Sequence, residues 1–144
     1  MMNDESTPHL VFSIADYFLA LPLKNVLRVV NYPPQNHPIH NPTGFVQMGH
    51  HVLQIFDLHQ WIQPSLEPKE QLFLVVTQDR QGALLGIPID HPPDLMEFSP
   101  EAIHPLPKSQ VQSGLAEIVS HAVVIPEQGI STTIFLLNVS GAKS

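Results

Sequence analysis

An apolar-Pro-apolar triplet, then a polar pair, then an apolar run occurs twice in this chain, nearly half its length apart. The first copy is Leu21-Pro22-Leu23, Lys24-Asn25 and Val26 to Val30; the second is Ile87-Pro88-Ile89, Asp90-His91 and Leu95 to Phe98. The residues upstream also match in kind. Leu10 to Ile14 and Tyr17 to Leu23 read as strands around a turn at Ala15-Asp16, and Leu72 to Thr77 and Ala83 to Ile89 flank Asp79-Arg80-Gln81-Gly82. Downstream, each half has a Gly before an apolar pair, Gly44-Phe45-Val46 or Gly114-Leu115-Ala116. Each then closes on Phe56-Asp57-Leu58 or Leu137-Asn138-Val139. Self-similarity at so long a period marks a duplicated supersecondary unit, and two copies predict a two-lobed body rather than a solenoid.

The repeat is built from strands. The chain carries 15 prolines in 144 residues, about twice the usual share, and proline removes a backbone donor and clashes with the preceding helical turn. Long helices are therefore disfavoured, while short Val-, Ile-, Leu- and Phe-rich runs recur. At 43% apolar and 13% charged residues the chain has enough apolar surface to order itself, so the class is a folded, mostly β domain.

Several functions are excluded by chemistry. Without cysteine there is no disulfide, thiolate metal site or cysteine nucleophile. Six basic against 13 acidic residues give a net charge of −7, which disfavours nucleic acid and anionic membranes alike. The first residues, Met1-Met2-Asn3-Asp4-Glu5-Ser6, lack the basic start and apolar stretch of a secretory signal. No run approaches a membrane span. The expectation is a cytoplasmic protein with no membrane insertion.

Along the chain, residues 1–9 read as a disordered tail and 10–140 as one domain. Its first lobe covers about 10–63, a linker 64–71 and a second lobe 72–139, with strands that can interlock between lobes, and 141–144 fray. Pro33-Pro34 through Pro42 reads as an extended loop. Val52 to Phe56 reads as a strand buried on both faces. Asp57 is placed to cap a short helical turn, Leu58 to Ile62, anchored by Trp61 and Ile62. Ser99-Pro100-Glu101-Ala102 predicts a second turn, stopped by Pro105 and Pro107. The last strand is read as Ile134 to Val139.

With these residues placed, the chain resembles the CheW-like adaptor family of bacterial chemotaxis from about Leu10 to Val139. The family's alanine-leucine-proline-aliphatic strand end and following valine correspond to Phe18-Leu19-Ala20-Leu21-Pro22-Leu23 and Val26. Its glycine-aliphatic landmark and aspartate-leucine strand end correspond to Gly44-Phe45-Val46-Gln47-Met48 and Val52 through Asp57-Leu58. Gly86-Ile87-Pro88-Ile89-Asp90 with Leu95-Met96, then Gly114-Leu115-Ala116 and Ile134 to Val139, follow in order. Two departures stand out. The family's arginine-glycine pair falls on Gly49-His50, and its usual acid after the first valine is Arg28.

The resemblance implies two interlocked, pseudo-symmetric five-stranded SH3-like barrels without a catalytic site, cofactor or metal. It implies an adaptor that couples the cytoplasmic tip of a methyl-accepting chemoreceptor to the regulatory domain of a chemotaxis-type histidine kinase, in flagellar, pilus-based or light-directed movement. The expected partner contacts are Val26, Arg28, Val30, Phe45, Val46 and Met48. If Val26 and Met48 are surface anchors, their replacement by Asp abolishes binding without unfolding, whereas unfolding marks them as core. Aliphatics in a strand run more often point inward, and Arg28, within such a run, is expected to face solvent.

Nine histidines invite a rival reading, a small metal-dependent, cupin-like β-barrel enzyme using His37, His40, His50, His51 and His59. The adjacency of His50 and His51 opposes it, since neighbours on a strand point to opposite faces. No GxxxxGK[ST] or GxGxxG stretch is present to cradle phosphate.

Overall fold

The structure, a computed structural model, describes residues 6–37, 43–62, 71–79, 81–107 and 116–138, without the side chains of Trp61 and Glu127. The expectations for the far N-terminal residues, most of the linker, His40, Gly114-Leu115, Val139 and the C-terminal tail lie outside the described residues.

The first half runs β1 (Thr7–Ile14), β2 (Tyr17–Pro22), a 3-10 turn (Leu23–Asn25), β3 (Val26–Asn31), a 3-10 turn (Pro34–Asn36), β4 (Phe45–Met48), β5 (His51–Ile55) and α1 (Leu58–Ile62). The second runs β6 (Phe73–Gln78), β7 (Leu84–Ile89), β8 (Asp94–Phe98), a 3-10 turn (Pro100–Ala102), β9 (Ile103–Pro105), β10 (Val119–Glu127) and β11 (Ile130–Leu137). The helix is where the cap predicts it. Asp57 Oδ1 accepts the His59 N–H at 3.0 Å.

The halves exchange hairpins. One sheet has the order β8-β1-β2-β11-β10-β9 and the other β3-β6-β7-β5-β4, so each half's opening hairpin is inserted between strands of the other. The equivalent crossings are parallel: β11 against β2 at Ile134↔Phe18, and β5 against β7 at Gln54↔Leu85. Each sheet curls into a small SH3-like lobe, one of them extended by β9 at its edge.

Reciprocal insertion explains the core. The largest buried cluster joins Leu10, Phe12, Ile14, Leu19 and Leu21 of the first hairpin to Val75, Ile87 and Ile89 of the second, with Leu58 and Ile62 of α1. Leu58 and Ile62, four apart on one helix face, are both fully buried there. Two smaller clusters each fill one lobe, around Val123 and Ile134 in one and around Val46, Leu53 and Leu74 in the other.

Several sequence expectations are corrected. β1 begins at Thr7 rather than Leu10, because Thr7–His9 pair with Met96–Phe98, residues distant in sequence. β5 is not buried on both faces: Leu53 is buried while Val52 is 56% exposed, because this sheet turns one face to solvent. Pro105 lies in β9 rather than merely stopping a helix, and Ser99 makes no side-chain cap bond. β10 went unread. Its Pro126 interrupts the apolar pattern but sits near the strand end, opposite Ser131. β11 accordingly starts at Ile130, after a turn in which Gln128 and Gly129 have φ of 49° and 81°.

Ala15, in the β1–β2 turn, has φ of 55°, a left-handed conformation that disfavours any Cβ. Ala15→Gly is therefore expected to raise stability by about 0.5 to 1 kcal/mol, the relieved strain exceeding glycine's added unfolded-state entropy. Urea denaturation checks this; an unchanged or lower midpoint refutes it.

Candidate functional site

β3 and β4 are the two outer strands of the five-stranded sheet, each hydrogen-bonded within it to one neighbour only. Outer strands offer unpaired backbone groups, and their side chains decide what they attract. On β3 the pattern is apolar yet largely open: Leu27 is 51% exposed and Val29 38%. The cause is a register shift between Val26, opposite Thr77, and Arg28, opposite Val76. Leu27 has no partner in that ladder, so a bulge lets both Leu27 and Arg28 reach solvent where alternation would send one inward. Thr77, 1% exposed, anchors the start of the strand by donating its hydroxyl to the Asn25 carbonyl at 2.6 Å.

β4 and β5 form a hairpin through Gly49-His50. Gly49 has φ of 62°, which fits glycine at the first central position of a two-residue turn. The pairs are Phe45↔Gln54, Val46↔Leu53, Gln47↔Val52 and Met48↔His51. By the two-residue period, Val46, Leu53, Met48 and His51 face the lobe interior and its mouth, and Phe45 and Val52 share the outer face. Phe45 is 51% exposed while Val46 is 2% exposed.

The six residues expected as contacts are thus divided. Arg28 and Met48 meet in an open cleft of about 390 Å³ at the lobe mouth, with Leu27, His51, Val76 and Leu84. Phe45 lies on the adjoining outer face. Val46 is corrected from contact to core, packed with Tyr32, Leu53, Leu74 and Val76. Val26 and Val30 are half-buried against the shared core and the lobe core respectively. Met48 also leans on that lobe core, so Val26 and Met48 are poor choices for a substitution that must leave the fold intact. Leu27, Val29 and Val52 were missed. Each sits in an apolar run that reads as core, and only the bulge and the open sheet face turn them outward.

A second groove, about 310 Å³, runs where the lobes meet, between Leu21, Lys24 and Asn25, the end of β6 at Thr77 to Asp79, and Leu137-Asn138. Leu27 borders both clefts, so they form one continuous surface. Lys24 and Arg28 are the cationic Lys and Arg side chains among the described residues, and both lie on this border. The surface can hold apolar side chains flanked by acidic ones.

Among the described residues the histidines do not converge. His37 stacks on Tyr32 with ring centroids 4.2 Å apart, its Nε2 3.1 Å from the Tyr32 carbonyl. His59 Nδ1 lies 3.1 Å from Asp57 Oδ1, and Gln71 Nε2 donates to the same oxygen at 3.4 Å. Gln71, read as linker, is buried. Among the described residues no group of three or more His, Asp or Glu side chains is placed to hold a metal ion. Among them, too, no helix is long and apolar enough to cross a membrane.

Tyr32 closes the floor of this lobe, 2% exposed, its hydroxyl donating to the Asn36 carbonyl at 3.3 Å. Burial, and secondarily the Asp57 carboxylate, push its phenol above the ordinary value. A raised native pKa adds stability that is complete below the unfolded value of about 10 and is lost as pH climbs from that value through the higher native one. Denaturant titrations from neutral to strongly alkaline pH should show this fall, and Tyr32→Phe should flatten it. An equally steep fall in the variant refutes the assignment.

The family model of the CheW-like domain matches residues 8–142. In structure the chain is similar to the scaffolding protein TtCheW from Thermoanaerobacter tengcongensis. The TM-score is 0.72 at 15% sequence identity, over 95% of this chain and 87% of that one. No curated protein matches the sequence.

Proposed function

The chain belongs to the CheW-like domain family, and from that premise we propose that it is a non-enzymatic adaptor joining a chemotaxis-type histidine kinase to a chemoreceptor. The observation that carries this reading is the exposed apolar border of the five-stranded sheet. Leu27 and Val29 on one outer strand, with Phe45 on the other and Val52 beside it, leave open the kind of surface that protein partners cover. The kinase regulatory domain docks on this border. The helical tip of the chemoreceptor occupies the groove between the lobes, where Leu21, Leu27 and Leu137 supply apolar contact and Lys24 faces acidic residues. Which movement is steered, flagellar, pilus-based or light-directed, follows from which kinase is bound.

An interface of ordinary size buries about 1,200 to 2,000 Å², and a few central apolar anchors supply most of its energy. Titrating the purified regulatory domain of a chemotaxis-type kinase into this protein by calorimetry tests the reading. Saturable binding at or below tens of micromolar supports it, and no association at that concentration overturns it.

A further inference from the structure

An ionisable trio sits where the two halves meet. His59, on α1, turns one ring nitrogen toward each of two carboxylates: Nδ1 lies 3.1 Å from Asp57 Oδ1, and Nε2 lies 3.8 Å from Asp90 Oδ1. The side chains of His59 and Asp90 are 13% and 10% exposed, and Nε2 and Oδ1 are buried atoms with no hydrogen-bond partner among the described residues. Folded proteins keep few such atoms, because each has given up its hydration without gaining a bond. At 3.8 Å the pair is too far apart for a direct hydrogen bond and too close for a water bonded to both.

A proton resolves the conflict. Neutral imidazole has one N–H and one lone pair. With the hydrogen on Nδ1 the ring donates to Asp57, and the Nε2 lone pair faces the Asp90 oxygen. With it on Nε2 the ring can donate to Asp90, and the Nδ1 lone pair faces Asp57 Oδ1, where Gln71 Nε2 approaches at 3.2 Å. Either neutral form sets an acceptor against a carboxylate, whereas the doubly protonated ring donates to both. An imidazole is ordinarily more basic than a carboxylate, so the extra proton goes to the ring. Asp57 Oδ1 also accepts the His59 backbone N–H, and its charge bears on the Tyr32 phenol. Among the described residues no Lys or Arg pairs with either carboxylate.

Position decides what that proton does. α1 closes the first half, while Gln71 and Asp90 flank the open end of the β6–β7 hairpin, where the Leu72 N–H donates to the Ile89 carbonyl at 3.0 Å. This is the hairpin that the second half inserts into the five-stranded sheet. We propose that Asp57, His59 and Asp90 form a proton-operated latch: protonated, His59 ties α1 to the base of the inserted hairpin, and deprotonated it releases Asp90 and loosens α1. Leu58 and Ile62 stay in the shared core in both states, so the latch tightens or slackens the junction rather than unfolding it. The proton makes its second bond only in the closed latch, so protonation and closure favour each other. Closure is full at acidic pH and fades as pH rises through the range, about 5 to 8, in which histidine changes charge. The inference goes beyond the adaptor role and does not depend on it.

Native-state hydrogen exchange on the full chain, followed at the Gln60 amide and corrected for the intrinsic pH dependence of exchange, reads the latch. That N–H donates to the Asp57 carbonyl at 3.1 Å in the first turn of α1. Its protection is expected to be about tenfold higher at pH 6 than at pH 8, the effect of one added charged hydrogen bond. His59→Gln, which takes up no proton, should show one low level at both pH values. Asp90→Asn should show one high level at both, because its amide donates to Nε2 of the neutral ring and closes the latch without the proton. This second variant decides the matter even if His59→Gln does not fold. In the natural protein at pH 6, nitrogen NMR should find both His59 ring nitrogens protonated. Equal protection at the two pH values in the natural protein, a pH step that survives in Asp90→Asn, or a neutral His59 ring at pH 6 overturns the proposal.

Discussion

Phe45→Asp should weaken binding of the kinase regulatory domain by roughly tenfold to a hundredfold while leaving the unfolding midpoint nearly unchanged. Truncating or charging a central apolar anchor costs an interface about 2 kcal/mol or more, and at 51% exposure Phe45 can carry a carboxylate into water without burying it. Val46→Asp, one residue on, should instead unfold the domain. Its side chain is 2% exposed among Tyr32, Leu53, Leu74 and Val76, so a charge there has neither water nor a partner. Calorimetric titration with parallel thermal melts separates the two results. If Phe45→Asp melted early, or bound as the natural protein does, the outer face of β4 would not be the docking surface.

The second large effect concerns the shared core. Ile87→Ala should cost about 2 to 5 kcal/mol, the range for emptying a fully buried aliphatic site. Both lobes should still melt in one transition. Ile87 belongs to the hairpin of the second half, yet it packs in a cluster that includes Phe12, Leu19 and Leu21 of the first. Neither sheet keeps its side of that cluster if the other opens. Scanning calorimetry would show a single peak whose calorimetric and van't Hoff enthalpies agree. Two resolved peaks, in the natural protein or the variant, would mean that the lobes are separate cooperative units.

Much of the fold was legible because it rests on local signals. The Pro22 and Pro88 triplets, the turn at Ala15-Asp16 and the Asp57 cap each act within a few residues, and the elements they mark lie close to where the sequence puts them. β10 was hidden by the opposite circumstance, a proline that reads as a breaker but sits near a strand end. The exposed face proposed for docking was only half visible. Arg28 and Phe45 are exposed as a contact requires, but Val46 is interior, and Leu27 was passed over because an aliphatic in an apolar run normally points inward.

The sequence by itself determined the duplication, the β class, the short capped helix and the family motifs, since turn chemistry and strand periodicity act between near neighbours. Only the tertiary structure decided which hairpin pairs with which half, and hence that one core serves both lobes. It also decided which aliphatics of β3 to β5 face solvent. Those outcomes depend on register between strands far apart in the chain, where a one-residue shift reverses the face of every side chain, and no local pattern specifies that register.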